Sequence, residues 1–247
     1  MITIALYNLK GGVGKTTTAV NLAYLAAASK QNTVLWDWDP QAAASWYCGV
    51  DKGGQKAIRL VDKGEPVGSL EVATPYPCLT VIPADLSLRK LDNVLLDRAS
   101  AKRVLRKLMA PLSDNTSYLI FDCPPTLSPS MDFLLSGVDL VLVPMIPSPL
   151  SIRAMEQVLE FFDKRKQGPK RIVGFYNQVD LRRNLHIETI KTIPKSDLPV
   201  MKSWVPVDSA AEQMGLRRAP LTSYASSGRA VNAYLKMWRE IGRILKK

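Results

Sequence analysis

The sequence has 247 residues, 47% apolar and 22% charged, which is enough for one sizeable α/β domain with a real core. No run approaches the roughly 18 apolar residues of a membrane span, and Met1–Leu6 enters a glycine-rich loop without a basic leader, so it reads as a strand and not as a signal peptide. A net charge of +11 favours an anionic partner, while three scattered cysteines and one histidine, His186, offer no zinc-ligand spacing and suit a reduced cytoplasmic protein.

Short, β-branched, largely apolar runs predict strands at Thr3–Tyr7, Thr33–Asp37, Leu79–Pro83, Tyr118–Asp122, Leu140–Pro144, Arg171–Tyr176 and near Ser203–Val205. Between them, helical periodicity predicts helices at Lys15–Ser29, Ala99–Met109, Ser151–Lys166, Leu185–Ile193 and Gly228–Lys246. Gly49–Gly68, rich in glycine and lysine, is the loosest stretch. Runs without alternation suit strands covered on both faces. The expected fold is therefore α/β: a mostly parallel twisted sheet with helices on both faces, in one domain spanning 1–247.

The first strand leads into Lys10-Gly11-Gly12-Val13-Gly14-Lys15-Thr16-Thr17, which opens the first helix. Gly11, Gly12 and Gly14 allow consecutive N–H groups to curl around a phosphate. The helix N-terminus adds free donors and a favourable dipole. Lys15 supplies a cation for the β/γ-phosphates, and the Thr16 hydroxyl is a Mg²⁺ ligand. The strict phosphate-loop consensus fails at one position, where Leu9 stands in place of glycine. Asp122 closes an apolar strand and reads as a carboxylate that holds Mg²⁺ through water.

This run resembles the deviant Walker A motif of the ParA/MinD family of P-loop ATPases, and the resemblance extends over nearly the whole chain. Asp37-Trp38-Asp39-Pro40-Gln41 resembles the family's D-x-D-P-Q segment, and Asp122-Cys123-Pro124-Pro125 its D-x-P-P. The resemblance implies a homodimer that forms on ATP binding, with Lys10 reaching the partner's nucleotide. It implies that Asp39 handles the attacking water and that Asp37 supports the Mg²⁺ shell. Gly11 to Thr17, including Val13 and Thr17, would cradle the phosphates. Asn177 would contact adenine, and Pro206 would pack on the base. Trp36 and Trp38 depart from the family's aliphatic residues, and core packing is their default role.

Within the family, a ParA-type reading competes with a MinD-type one. Eight Lys/Arg against the single Glu240 between Arg217 and Lys247 favour nonspecific DNA as the anionic surface. The candidate contacts are Arg217, Arg218, Arg229, Lys236 and Arg243, the first three because they lie in or beside loops and need not pack. The MinD-type alternative, a membrane-associated ATPase, draws on the apolar stripe Val231, Tyr234, Leu235, Trp238, Ile241, Ile244 and Leu245, which a core-facing helix explains equally well. By resemblance, a ParB-like or cargo-adaptor protein stimulates hydrolysis, stable membrane insertion is not expected, and the ATP-bound form associates with the nucleoid. An iron–sulfur reductase on the same fold lacks recognisable cluster cysteines, and no substrate pocket points to a metabolite kinase.

Overall fold

Residues 1–51, 67–84, 109–112, 114–164, 168–192 and 197–246 are described in the computed structural model. The expected helix Ala99–Met109 and most of Gly49–Gly68 lie outside the described residues. The strands are β1 (Ile2–Leu6), β2 (Thr33–Asp37), β3 (Val72–Ala73), β4 (Leu79–Ile82), β5 (Tyr118–Asp122), β6 (Leu140–Met145) and β7 (Ile172–Tyr176). Except for the two-residue β3, which the sequence pattern does not announce, each stands within a residue of its expected bounds.

The strands form one sheet in the order β3-β4-β2-β5-β1-β6-β7. Every pairing is parallel except β3 with β4. Every residue of β2 and β6 is buried, as a strand covered on both faces requires. Successive side chains then serve opposite faces. Ala5, Tyr7, Trp36, Phe121 and Val141 belong to one apolar core, and Ile4, Leu6, Leu35, Ile120 and Leu142 to the other.

Helix α1 (Lys15–Ala28) follows the glycine loop, and α2 (Ala43–Tyr47) follows β2. α3 (Pro129–Ser136) and α4 (Pro149–Asp163) begin alike. Ser128 and Ser148 accept the N–H of Met131 and Ser151, and a proline occupies the next position, an arrangement that suits a helix start because proline there forgoes no helical bond. α5 (Asn184–Thr192), the short turns α6 (Ser209–Glu212), α7 (Met214–Arg217) and α8 (Leu221–Tyr224), and the long α9 (Arg229–Lys246) complete the described chain. α9 buries Val231, Tyr234, Met237 and Ile241 in the same core as α1. Of the apolar stripe of α9, Val231, Tyr234 and Ile241 are core, and Leu235, Trp238, Ile244 and Leu245 are partly buried against it, so a core-facing helix accounts for the stripe. No helix among the described residues is long and apolar enough to cross a membrane.

The strand expected near Ser203–Val205 is instead a segment joined by two isolated bridges, Val200 with Gly174 of β7 and Pro206 with Val179, just beyond β7. Between the bridges the N–H groups of Lys202 and Ser203 turn to the Glu240 carboxylate, at 2.8 and 2.9 Å. The ladder is interrupted because a side chain from α9 takes the place of a neighbouring backbone.

Candidate nucleotide site

The glycine loop leaves the C-terminal end of β1, in the middle of the sheet. Gly12 and Gly14 sit in the left-handed region, at φ 73° and 88°. At Gly14 a side chain is excluded twice over: a Cβ there would lie 2.0 Å from Nδ2 of Asn177. That amide donates to the Val13 carbonyl at 2.7 Å, and Nε2 of Gln178 donates to the Gly12 carbonyl at 2.7 Å. The end of β7 thus braces the loop by its carbonyls, which leaves loop N–H groups available to an anion. Asn8 fixes the entry: its amide donates to Pro144 O, and its Oδ1 accepts from Lys10 N.

Lys15 is buried, and its Nζ donates to the Lys10 carbonyl at 3.0 Å. Burial lowers its pKa, while Asp122 and Asp39 hold it up. Thr16 and Thr17 lie half-buried in the first turn of α1, and the Lys10 side chain is exposed.

Asp37 and Asp122 end adjacent strands in register, so parallel pairing brings two carboxylates to one level. Both are fully buried. Asp37 Oδ2 accepts from the N–H and hydroxyl of Ser45, and Oδ1 accepts from Asp39 N–H. Burial pushes Asp37 up to about 6 against these bonds. Asp122 rises well above the ordinary carboxylate range, by burial and by the charge of Asp37, with Thr16 and Lys15 acting the other way. Neither Asp122 oxygen has a well-formed hydrogen bond. A buried carboxylate without donors is costly, and a hard cation beside Thr16 would relieve it. The residues therefore fit magnesium. Asp39, half-buried, uses one oxygen to accept Gln41 N–H.

Pro206 lines a cleft of about 720 Å³ whose walls include Val179, Trp204, Lys202, Arg229 and Lys236. Asn177 is buried with its amide on the loop, so the structure gives it a bracing contact that the sequence does not reveal. Ser45 and Gln178 are further site residues the sequence leaves unmarked. Trp36 and Trp38 pack against each other and Phe121 in the core, as expected.

The anionic-partner set divides. Arg229, Lys236 and Arg243 are exposed on α9. Arg218 instead lies over the Trp46 ring, 3.9 Å from its centroid, and pairs with Asp51. Arg217 lies over Tyr224. The expectation that these two need not pack is corrected: aromatic rings from α2 and α8 stand within reach of α7.

A glycine loop, its lysine and strand-end carboxylates at the C-terminal edge of a parallel sheet define a P-loop nucleoside triphosphatase. A family model described as an AAA domain matches residues 1–173. The chain is 29% identical to the chromosome-partitioning ATPase Soj of Treponema pallidum over 246 residues, covering 97% of this chain and 96% of that one. It is likewise 29% identical to the sporulation initiation inhibitor protein Soj of Bacillus subtilis, covering 96% and 97%. Among solved structures, Pyrococcus furiosus MinD superposes with a TM-score of 0.78 at 20% identity, covering 98% and 99%. Cobyrinic acid a,c-diamide synthase of Mycobacterium smegmatis superposes with 0.82 at 22%, covering 100% and 96%. The chain belongs to this AAA-domain family and is an ATPase.

Proposed function

We propose that this chain is a ParA-type partitioning ATPase, one domain over 1–247, that positions a DNA or protein cargo. The carrying observation is the convergence of the braced glycine loop, Lys15 and the buried Asp122, which lacks a well-formed hydrogen bond, at the ends of β1 and β5. The loop N–H groups and Lys15 hold the phosphates of ATP, and Thr16 and Asp122 hold Mg²⁺, Asp122 through water. Bound magnesium supplies charge neutralisation at the phosphate oxygens. Asp37, tied to Ser45, shapes the metal's surroundings more than it ligates. Asp39 orients the attacking water. Val179 and Pro206 flank the base.

Dimerisation on ATP is the second part of the proposal. Leu9 and Leu127, 40% and 47% exposed, lie on the loops after β1 and β5, and Leu150, 71% exposed, lies in the first turn of α4, which follows β6. These strands are neighbours, so an apolar rim surrounds the exposed Lys10. A second copy covers that rim and receives Lys10 at its phosphates, a cation given in trans. The dimer brings two sets of α9 cations together, which gains by avidity on nonspecific DNA. A ParB-like or cargo-adaptor protein stimulates hydrolysis, and the protein works in the cytoplasm, on the nucleoid while ATP-bound.

The test is ATP binding by calorimetry with Lys15→Ala. Loss of measurable affinity is expected, because the buried phosphate cation is gone. Affinity near that of the parent protein would relocate the nucleotide site.

A further inference from the structure

Two segments far apart in sequence are fastened together beside the carboxylates, and the chemistry above makes no use of the fastening. α2 is tied to the site through Ser45, whose N–H and hydroxyl donate to Asp37 at 2.9 and 2.7 Å. The next residue, Trp46, reaches α7. Its Nε1 donates to Gly215 O at 3.1 Å, and the Arg218 guanidinium lies over its ring. Arg218 pairs in turn with Asp51, just beyond α2.

The backbone is constrained at both ends. Ala42, before α2, and Arg218, after α7, are left-handed at φ 55° and 49°. Residues with a Cβ adopt that region where surrounding contacts hold them. A solvated arginine needs no such conformation. α2 is also a single turn, too short to be stable by itself, so its position depends on what grips it.

We propose that Trp46 and Arg218 form a clasp that holds α2 in place beside Asp37 and Asp39, which makes both of them positioning residues for ATP hydrolysis. The proposal rests on the roles given above to those two carboxylates. Ser45 transmits the grip to Asp37. The bond from Ala42 N–H to the Asp39 carbonyl, 2.8 Å long, transmits it to Asp39. The phosphate loop is braced separately, from β7. Loosening the clasp therefore disturbs the water side of the site and spares nucleotide binding. It also removes Arg218 from the residues available to an anionic partner, since its charge is occupied by Asp51 and its face by Trp46.

Steady-state ATPase assays on the full chain test this. Trp46→Ala should lower kcat on the order of tenfold, as a misplaced positioning shell does, with KM for ATP within about twofold. Trp46→Phe keeps a ring under the guanidinium and should recover most of the loss, and it keeps the test informative if the alanine variant fails to fold. Arg218→Gln, which leaves the bond from Trp46 to Gly215 intact, should lower kcat in the same direction but by less than Trp46→Ala, and the double variant should lose less than the product of the two single losses, because both break the ring–guanidinium contact. Full turnover in Trp46→Ala, or equal loss with phenylalanine and alanine, overturns the clasp. So does Arg218→Gln with full turnover and weakened binding to random duplex DNA, which returns Arg218 to the partner surface. Asp39→Ala is assayed alongside. Normal hydrolysis there sinks the site reading itself, whereas an inert Asp39→Ala beside a fully active Trp46→Ala sinks the clasp alone.

Discussion

Three carboxylates, Asp37, Asp39 and Asp122, stand at the site, and their surroundings give them different work. Asp37 is committed to Ser45 and Asp39 N–H, and Asp122 is buried without a well-formed hydrogen bond, whereas Asp39 is half-exposed with one oxygen in use. Asp39 alone combines free acceptor capacity with access to solvent, as orienting a water requires. Asp39→Ala should therefore bind ATP and dimerise but not turn over, and Lys10→Ala should bind ATP as a monomer. Light scattering beside phosphate release separates the two, and parental behaviour in either variant removes its assigned role. Lys15, Thr16 and Asp122 are legible in the sequence because each sits at a fixed offset from a strand end. Ser45 and Gln178 are not, since their partners, Asp37 and the Gly12 carbonyl, become neighbours only once the chain has folded. The packing of Arg218 is hidden for the same reason: the sequence shows the charge but not the Trp46 ring beneath it.

At the scale of elements, the alternation of apolar strands and helices was readable, and the starts of α3 and α4 were not used although Ser128-Pro129 and Ser148-Pro149 mark them. The segment beyond β7 is instructive in another way. Its β-branched composition suggests a strand, yet a strand needs its N–H groups free for the ladder, and Glu240 takes two of them. The lone acid of the basic C-terminal stretch is therefore structural. Glu240→Ala should cost about 1–2 kcal/mol, from two charge-assisted bonds that are partly solvent-exposed. Urea unfolding measures this, and an unchanged midpoint would mean that water replaces the carboxylate at no cost.

Across the whole molecule, the exposed cations Arg229, Lys236 and Arg243 recur every seventh residue of α9 and so follow one face of it. On the proposed reading, this face is the surface offered to a polyanion. Lys236→Glu with Arg243→Glu should weaken ATP-dependent binding to random duplexes and lower the salt slope by roughly 1 to 2, at about 0.9 per phosphate contact. Fluorescence anisotropy across a salt series reads both, and an unaltered slope would mean that DNA lies elsewhere or is not the partner. The bracing of the glycine loop has a consequence for the order in which the protein becomes competent. β1 finds its sheet neighbours in β5 and β6, and the donors that hold the loop carbonyls come from Asn177 and Gln178, 164 and 166 residues further along the chain. A nascent chain stopped at residue 173, where the AAA-domain match ends, contains the whole glycine-lysine run and none of its brace. On the proposed reading, a loop without that brace is not yet shaped for phosphate, so nucleotide capture should wait until most of the polypeptide has been made.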